Sequence, residues 1–352
     1  MPTEVETTPI IDSKLLVETV LATVERERER EIIARRFGLF DRKETLEQIG
    51  ELLGITRERV RQLEKSVIAR LRATAEAGEL PIIVDLQSTT LRLVQEQGGA
   101  ARVTALSAVL TESNTKTDQS RIAFLLSLCP ALVSVDEHDD FYQAVAEQGT
   151  FDNEKAVKTA IAQVVDAIKQ AGEPYPIAVT AKALGRDAAQ TEALARISKK
   201  LATLGGVWGL TKWPTVNPKN IRDKIYVILK ENTKPMHFGD IAEAIKASDF
   251  KRKDVTTQAI HNELIKDKRF VLVGRGIYAL KEWGFSKGTV SDIIAEILRE
   301  AGMPLHRDEI VKRVLRSRYV KETTILLNLQ GKPQFKRVAK ATYELAEVAV
   351  QA

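Results

Sequence analysis

The chain holds a single cysteine, Cys129, among 352 residues, so no intramolecular disulfide can form and a reducing, cytoplasmic setting is expected. Aromatic residues make up only 5%, which argues against large β-sandwiches and for helices packed through Leu, Ile, Val and Ala. Apolar runs are only a few residues long, too short to span a bilayer. The opening "MPTEVETTPI" is acidic and lacks an apolar stretch, so it does not read as a signal peptide. Four scattered histidines and one cysteine do not supply a closed zinc site, and neither a phosphate-binding loop nor a zinc-protease signature is legible. Cys129, inside "LLSLCPAL", has no nearby partner for nucleophilic chemistry and reads as a small buried residue. Gly274-Arg275-Gly276 alone is too short for a nucleotide fingerprint. No enzyme, cofactor, metal or membrane partner is expected.

What is present is charge, unevenly spread. The net charge is +5. Residues 84–149 carry 4 basic and 9 acidic residues, whereas 216–286 carry 14 and 9 and 287–352 carry 12 and 8. A basic excess concentrated late in the chain points to a polyanionic partner. The run "ERERERE" at 25–31 sits inside a stretch, 13–36, whose Leu16, Val20, Val24 and Ile32 predict one helix with a solvated charged face.

The segment "TLEQIGELLGITRERVRQLEKSVIARLR", 45–72, has chemistry at a definite spacing. Thr45 with Gln48 satisfies the capping-box pattern, Gly54 suits a left-handed helix end, and Thr56 starts the next helix. At about 100° per residue, Val60, Leu63, Val67 and Leu71 share one side of that helix. Arg57, Glu58, Arg61, Gln62 and Lys65 share nearly the opposite side. Arginine reads guanine, glutamine reads adenine and glutamate accepts from the cytosine amine. A face that bound only phosphate would carry Lys and Arg alone. A helix-turn-helix is predicted, with Thr45, Leu46, Thr56, Arg57, Glu58, Arg59, Arg61, Gln62 and Lys65 as candidate DNA contacts. The alternative is a helix-turn-helix used only for protein contact.

Beyond "AGELP" at 77–81 the chain repeats itself. "VTTQAIHNELIKDKRFVLVGRGIYAL" (255–280) aligns without gaps over "VKETTILLNLQGKPQFKRVAKATYEL" (320–345), with identities from Val255/Val320 to Leu280/Leu345. Upstream, "KPMHFGDIAEAI" matches "GMPLHRDEIVKRV". Fainter copies occupy the region between 84 and 213. Helix, proline turn, two helices and two strands around a tight turn make a winged helix-turn-helix, and a period near 60–70 residues makes it tandem. The expected fold class is therefore mainly α with small β wings. The expected layout is a disordered start (1–12), a helix-turn-helix domain (13–78), and four winged modules at 84–149, 151–215, 218–285 and 287–348. Arg275 and Lys340 occupy equivalent wing tips and are possible phosphate or minor-groove contacts. Thr256, Thr257, Gln258 and Lys321, at the start of the third helices, are weaker candidates. The acidic wing "DEHDD", 136–140, would repel phosphate, so that module is expected to meet protein. His237 and His306, at matching positions before the second helix, are expected to be structural.

Residues 35–72, with "RRFGL" and "TRERVRQLE", resemble region four of housekeeping-type bacterial sigma factors, the part that recognises the promoter −35 element. The resemblance implies that Arg57, Glu58 and Gln62 contact bases, that Thr45, Leu46 and Arg61 lie near the phosphate backbone, and that the preceding helix docks on RNA polymerase core. Two departures stand out: in sigma factors this region ends the chain, and only some 35 residues precede it here, too few for the domain that melts the −10 element. Residues 219–283 resemble the HARE-type winged helix of the polymerase delta subunit through "PMHFGDIAEAI" and "RFVLVGRGIYAL", and 287–346 resemble a divergent second copy. Together these imply a bacterial DNA-binding transcription factor with double-stranded DNA and polymerase core as partners, or else a delta-like accessory protein.

Overall fold

The computed structural model describes residues 10–250, 254–285 and 288–346. The chain divides into two compact units, Met1–Lys212 and Trp213–Ala352. The first unit opens with α1 (Ser13–Ala22), α2 (Glu27–Phe37), α3 (Leu46–Leu53) and α4 (Arg57–Glu76). The stretch 13–36 is thus two helices, not the one predicted. Thr23 ends α1, its hydroxyl donating to the Val20 carbonyl, and Arg26 starts α2 in extended backbone. The apolar spacing ran on through the break because Val24 is buried in the connection. Of the disordered start expected at 1–12, residues 1–9 lie outside the described residues. Residues 10–12 are ordered: Ile11 N donates to the Leu110 carbonyl at 2.8 Å, and Asp12 caps α1.

Two six-element series follow. One is α5 (Pro81–Glu96), β1 (Ala100–Arg102), α6 (Val103–Leu110), α7 (Lys116–Ser127), β2 (Leu132–Val135) and β3 (Ala144–Glu147). The other is α8 (Glu154–Ala171), β4 (Tyr175–Pro176), α9 (Ile177–Leu184), α10 (Ala188–Ile197), β5 (Leu201–Leu204) and β6 (Val207–Leu210). The second unit has the same series twice. It runs α11 (Ile221–Asn232), β7 (Met236–His237), α12 (Phe238–Ala247), α13 (Thr257–Lys266), β8 (Phe270–Gly274) and β9 (Ile277–Leu280). It then repeats as α14 (Val290–Ala301), β10 (Leu305–His306), α15 (Arg307–Ser317), α16 (Glu322–Gly331), β11 (Phe335–Ala339) and β12 (Thr342–Leu345).

Each series closes a three-stranded antiparallel sheet in which the last strand lies between the first and the second. The first strand is the element that the sequence pattern did not show. In the second unit it is two residues long, Met236–His237 paired with Tyr278 and Ile277, and Leu305–His306 paired with Tyr343 and Thr342. His237 and His306 begin the following helices, each accepting a backbone N–H on Nδ1. The protein is mainly helical with small β wings.

One apolar core in the first unit joins α1 and α4 to the series that follows. Val17, Val20 and Leu21 of α1 and Val67, Leu71 and Ala75 of α4 pack with Leu86, Leu106, Ile122 and Phe124. The Phe37 and Phe124 rings lie 5.2 Å apart. At about 1.5–3 kcal/mol per buried large apolar side chain, this core outweighs any polar contact across the same boundary. Arg72 of α4 adds to it, donating to the Pro130 and Leu132 carbonyls. The turn at 77–80 therefore interrupts the helices without separating their packing. Within the second unit, the Arg318 guanidinium donates to the Leu272 carbonyl on β8, tying the last series to the preceding wing.

Candidate nucleic-acid interface

The helix-turn-helix owes its shape to local chemistry. Thr45 Oγ1 accepts from Gln48 N at 3.2 Å, and the Gln48 amide oxygen accepts from Thr45 N at 2.9 Å, so both ends of the capping box are closed. Gly54, at φ 65°, ends α3 in the left-handed region that favours glycine. Thr56 then caps α4 through Arg59 N. Ile32, Ile49 and Val60 are fully buried between α2, α3 and α4, with Leu46, Leu53, Ile55 and Leu63 packed around them. That small core fixes the angle between the two helices of the motif. Leu46 belongs mainly to this packing, being half-buried, whereas Thr45 and Thr56 are exposed but committed to their caps.

The opposite face of α4 is open. Arg57, Glu58, Arg59, Arg61, Gln62 and Lys65 are all exposed, and within the first unit none of the described residues covers them. Their side chains are already organised. Arg61 donates to both Glu58 oxygens, at 2.8 and 2.6 Å, and the Gln62 amide donates to Glu58 at 3.3 Å. Arg59 reaches the Gln62 oxygen at 3.5 Å. The bidentate Arg61 pair is the first cause, ahead of Gln62 and Lys65, that pulls the Glu58 carboxyl down to about 2. A chain of donors and acceptors this close loses less side-chain freedom on meeting base edges than independent side chains would.

Several partners went unread in the sequence. Glu47 of α3 lies 3.3 Å from Arg57, linking the two helices of the motif on their open side. The run 25–31 is more than a solvated face. Glu29 is buried at 5% exposure, and it meets Arg70 of α4 and Arg26. Arg28 and Arg30 donate to the Leu53 and Val24 carbonyls. Arg36 of α2 reaches Glu64 of α4 at 3.3 Å. The ties of Glu29 to Arg70, Arg28 to Leu53 and Arg36 to Glu64 join different elements, so helical spacing alone gives no signal for them.

The wing candidates belong to the second unit. Arg275 and Lys340 are exposed at the β8–β9 and β11–β12 turns. The acidic wing behaves otherwise. Glu137 and Asp140 pair with Lys199 and Lys200 of the following series, at 2.9 and 2.8 Å, so two of its four carboxylates meet lysines of the same chain. Third helices in the first unit are also covered. Asp118 of α7 accepts from Ser13 Oγ at 2.8 Å, and Arg121 donates to the Leu39 carbonyl at 2.7 Å. Arg196 at the end of α10 offers its carbonyl to Arg102 of β1. Cys129 is wholly buried, and burial pushes its thiol up to about 12. Among the described residues, no helix is long and apolar enough to cross a membrane, and no group of three or more His, Cys, Asp or Glu is placed to hold a metal.

Residues 26–73, which span α2 to α4, match the family Sigma-70, region 4. The RNA polymerase sigma factor RpoD of Helicobacter pylori strain ATCC 700392 / 26695 is 50% identical over 64 residues, 18% of this chain. RpoD of strain J99 / ATCC 700824 is similar to the same extent. The chain spans 9% of the length of each of these relatives. The likeness therefore describes one segment, a sigma-70 region 4 domain, and leaves the winged series to their own geometry.

Proposed function

We propose that the protein is a bacterial, cytoplasmic, DNA-binding transcription factor that reads promoter −35-type duplex through α4 and acts in transcription initiation or its regulation. One observation carries the reading: within a sigma-70 region 4 segment, the α4 face holding Arg57, Glu58, Arg61, Gln62 and Lys65 is uncovered and internally hydrogen-bonded. The first turns of a second helix enter the major groove, where Arg57 and Gln62 reach base edges and Thr45 and Arg61 lie along the backbone. The second unit, as HARE-type winged modules, adds phosphate contacts through Arg275 and Lys340. RNA polymerase core is the protein partner that the region 4 likeness supports. The role needs no enzymatic activity.

A delta-like polymerase accessory protein is the second reading, favoured by the covered third helices α7 and α10, which fit a scaffold better than a set of readers. Selection from random duplexes with the full chain separates the two. Arg57→Ala or Gln62→Ala is expected to cost roughly 1–3 kcal/mol on the selected sequence. Absence of any consensus that depends on Arg57, Glu58 and Gln62 overturns the reader. Co-purification with core polymerase that survives the Arg57/Gln62 double substitution then supports the accessory role.

A further inference from the structure

The four winged series share one plan but not one surface. In the first unit, α7 is covered by α1, through Ser13, and by Leu39, and α10 by β1. Among the described residues, the equivalent helices of the second unit each keep an exposed face. Along α13, Thr257, Gln258 and Asn262 are exposed, whereas Ile260 and Leu264 point into the core. The Gln258 amide N–H donates to the Asn262 oxygen at 3.2 Å, one helical turn away. That bond uses the Gln258 NH₂ and the Asn262 oxygen, so an acceptor on Gln258 and a donor on Asn262 remain side by side on exposed residues. Adenine presents the complementary set in the major groove, a donor at N6 and an acceptor at N7. The equivalent stretch of α16 differs, with Glu322 at its start and Leu327 at 68% exposure, a surface unsuited to base edges.

A second relationship holds the wing beside this helix. Phe238 N donates to the Gly276 carbonyl at 3.0 Å, so the wing tip is seated on the start of α12. A Cβ at Gly276 would lie 2.6 Å from the His237 ring, a contact only glycine permits. The Phe238 ring packs in turn, tilted, against His261 of α13, at 4.9 Å between centroids, and His261 meets Tyr278 of β9 edge-on. On its other side the wing is held by Arg318 at the Leu272 carbonyl. Arg275 therefore projects from a tip fixed to the same aromatic cluster as α13. Residues 216–286 carry 14 basic against 9 acidic residues, the balance a polyanion selects.

We propose that α13 is a second base-reading helix for double-stranded DNA, with Gln258 and Asn262 addressing an adenine and Arg275 neutralising a nearby phosphate. This rests on the reading that the chain binds duplex DNA and adds a site distinct from α4. Two base-reading helices in one chain would make the full recognition sequence bipartite, one block per reader.

The test is selection from random duplexes with the full-length chain, followed by affinity measurements on the selected sequence. The wild-type chain should return two blocks. Gln258→Ala with Asn262→Ala should erase the adenine-containing block, lower affinity roughly 5- to 100-fold and leave the other block intact. Arg57→Ala with Gln62→Ala should do the reverse, so loss of one reading is distinguishable from loss of the other. Arg275→Ala should weaken all sequences alike and reduce the slope of log K against log salt by about 1. Both α13 positions are exposed, and an unchanged thermal midpoint shows that the fold is kept. A single block depending on α4 alone, or a Gln258/Asn262 variant that loses affinity equally for every sequence, overturns the proposal.

Discussion

Gly98 lies against Ala189 so closely that a Cβ on the glycine would sit 2.4 Å from the Ala189 carbonyl group. The contact seats the turn before β1 on the first residues of α10, with Gly98 itself at φ 94°, in the region that L side chains avoid. Two series of the first unit are thereby locked together on the helix that a free winged module would present to DNA. Gly98→Ala should destabilise the chain by at least about 1–3 kcal/mol from backbone strain alone, before any displacement of α10. Urea denaturation measures the loss. Binding through α4 should change little in the folded fraction, because Gly98 is outside the core formed by Ile32, Ile49 and Val60.

The acidic wing is held by two kinds of bond with different sensitivities. Lys199 and Lys200 pair with Glu137 and Asp140 through side chains that solvent reaches in part or in full. The backbone adds Tyr142 N to the Ile197 carbonyl at 2.9 Å and Lys199 N to the Asp140 carbonyl at 2.8 Å. Each of these solvent-accessible ion pairs is worth about 1 kcal/mol and is screened by salt. Double-mutant cycles on Glu137/Lys199 and Asp140/Lys200 should therefore give small coupling energies at low salt that vanish near 1 M. The wing should nevertheless stay in place, as shown by persistent hydrogen-exchange protection at the Tyr142 and Lys199 amides.

What could be read in the sequence was what is local. The capping box at Thr45, the glycine at 54 and the spacing of Val60, Leu63, Val67 and Leu71 each act within one or two turns, and together they define the motif and its open face. The wings were legible because Phe270/Phe335 and Tyr278/Tyr343 recur in register. Two-residue strands such as Met236–His237 have too few residues to show a period. The break after Ala22 hid behind Val24, which keeps the helical phase while leaving the helix. The covering of α7 and α10 depends on Ser13 meeting Asp118 across 105 positions and Arg102 meeting Arg196 across 94, distances at which spacing carries no information. The four carboxylates at 136–140 mark an acidic wing, but nothing local names Lys199 and Lys200 as the partners of Glu137 and Asp140.

Glu58 supplies the last prediction. Its carboxyl accepts both arms of the Arg61 guanidinium and titrates at about 2, below the usual carboxylate range. A carboxyl depressed in the folded state adds stability that is present above its unfolded value, near pH 4.3, and is lost as pH falls toward 2. Between pH 5 and 8 the group is therefore ionised throughout, and discrimination by Glu58 for a cytosine amine should be flat across that window. Arg61→Ala removes the largest cause of the depression and should move the midpoint up toward about 4.3, as followed by the Glu58 side-chain carboxyl resonance in an NMR titration. Glu58→Gln, by contrast, should keep the fold but free the Arg61 fork to choose other acceptors. The base facing position 58 should then lose its preference at every pH, while contacts made by Arg57 on the same helix turn remain.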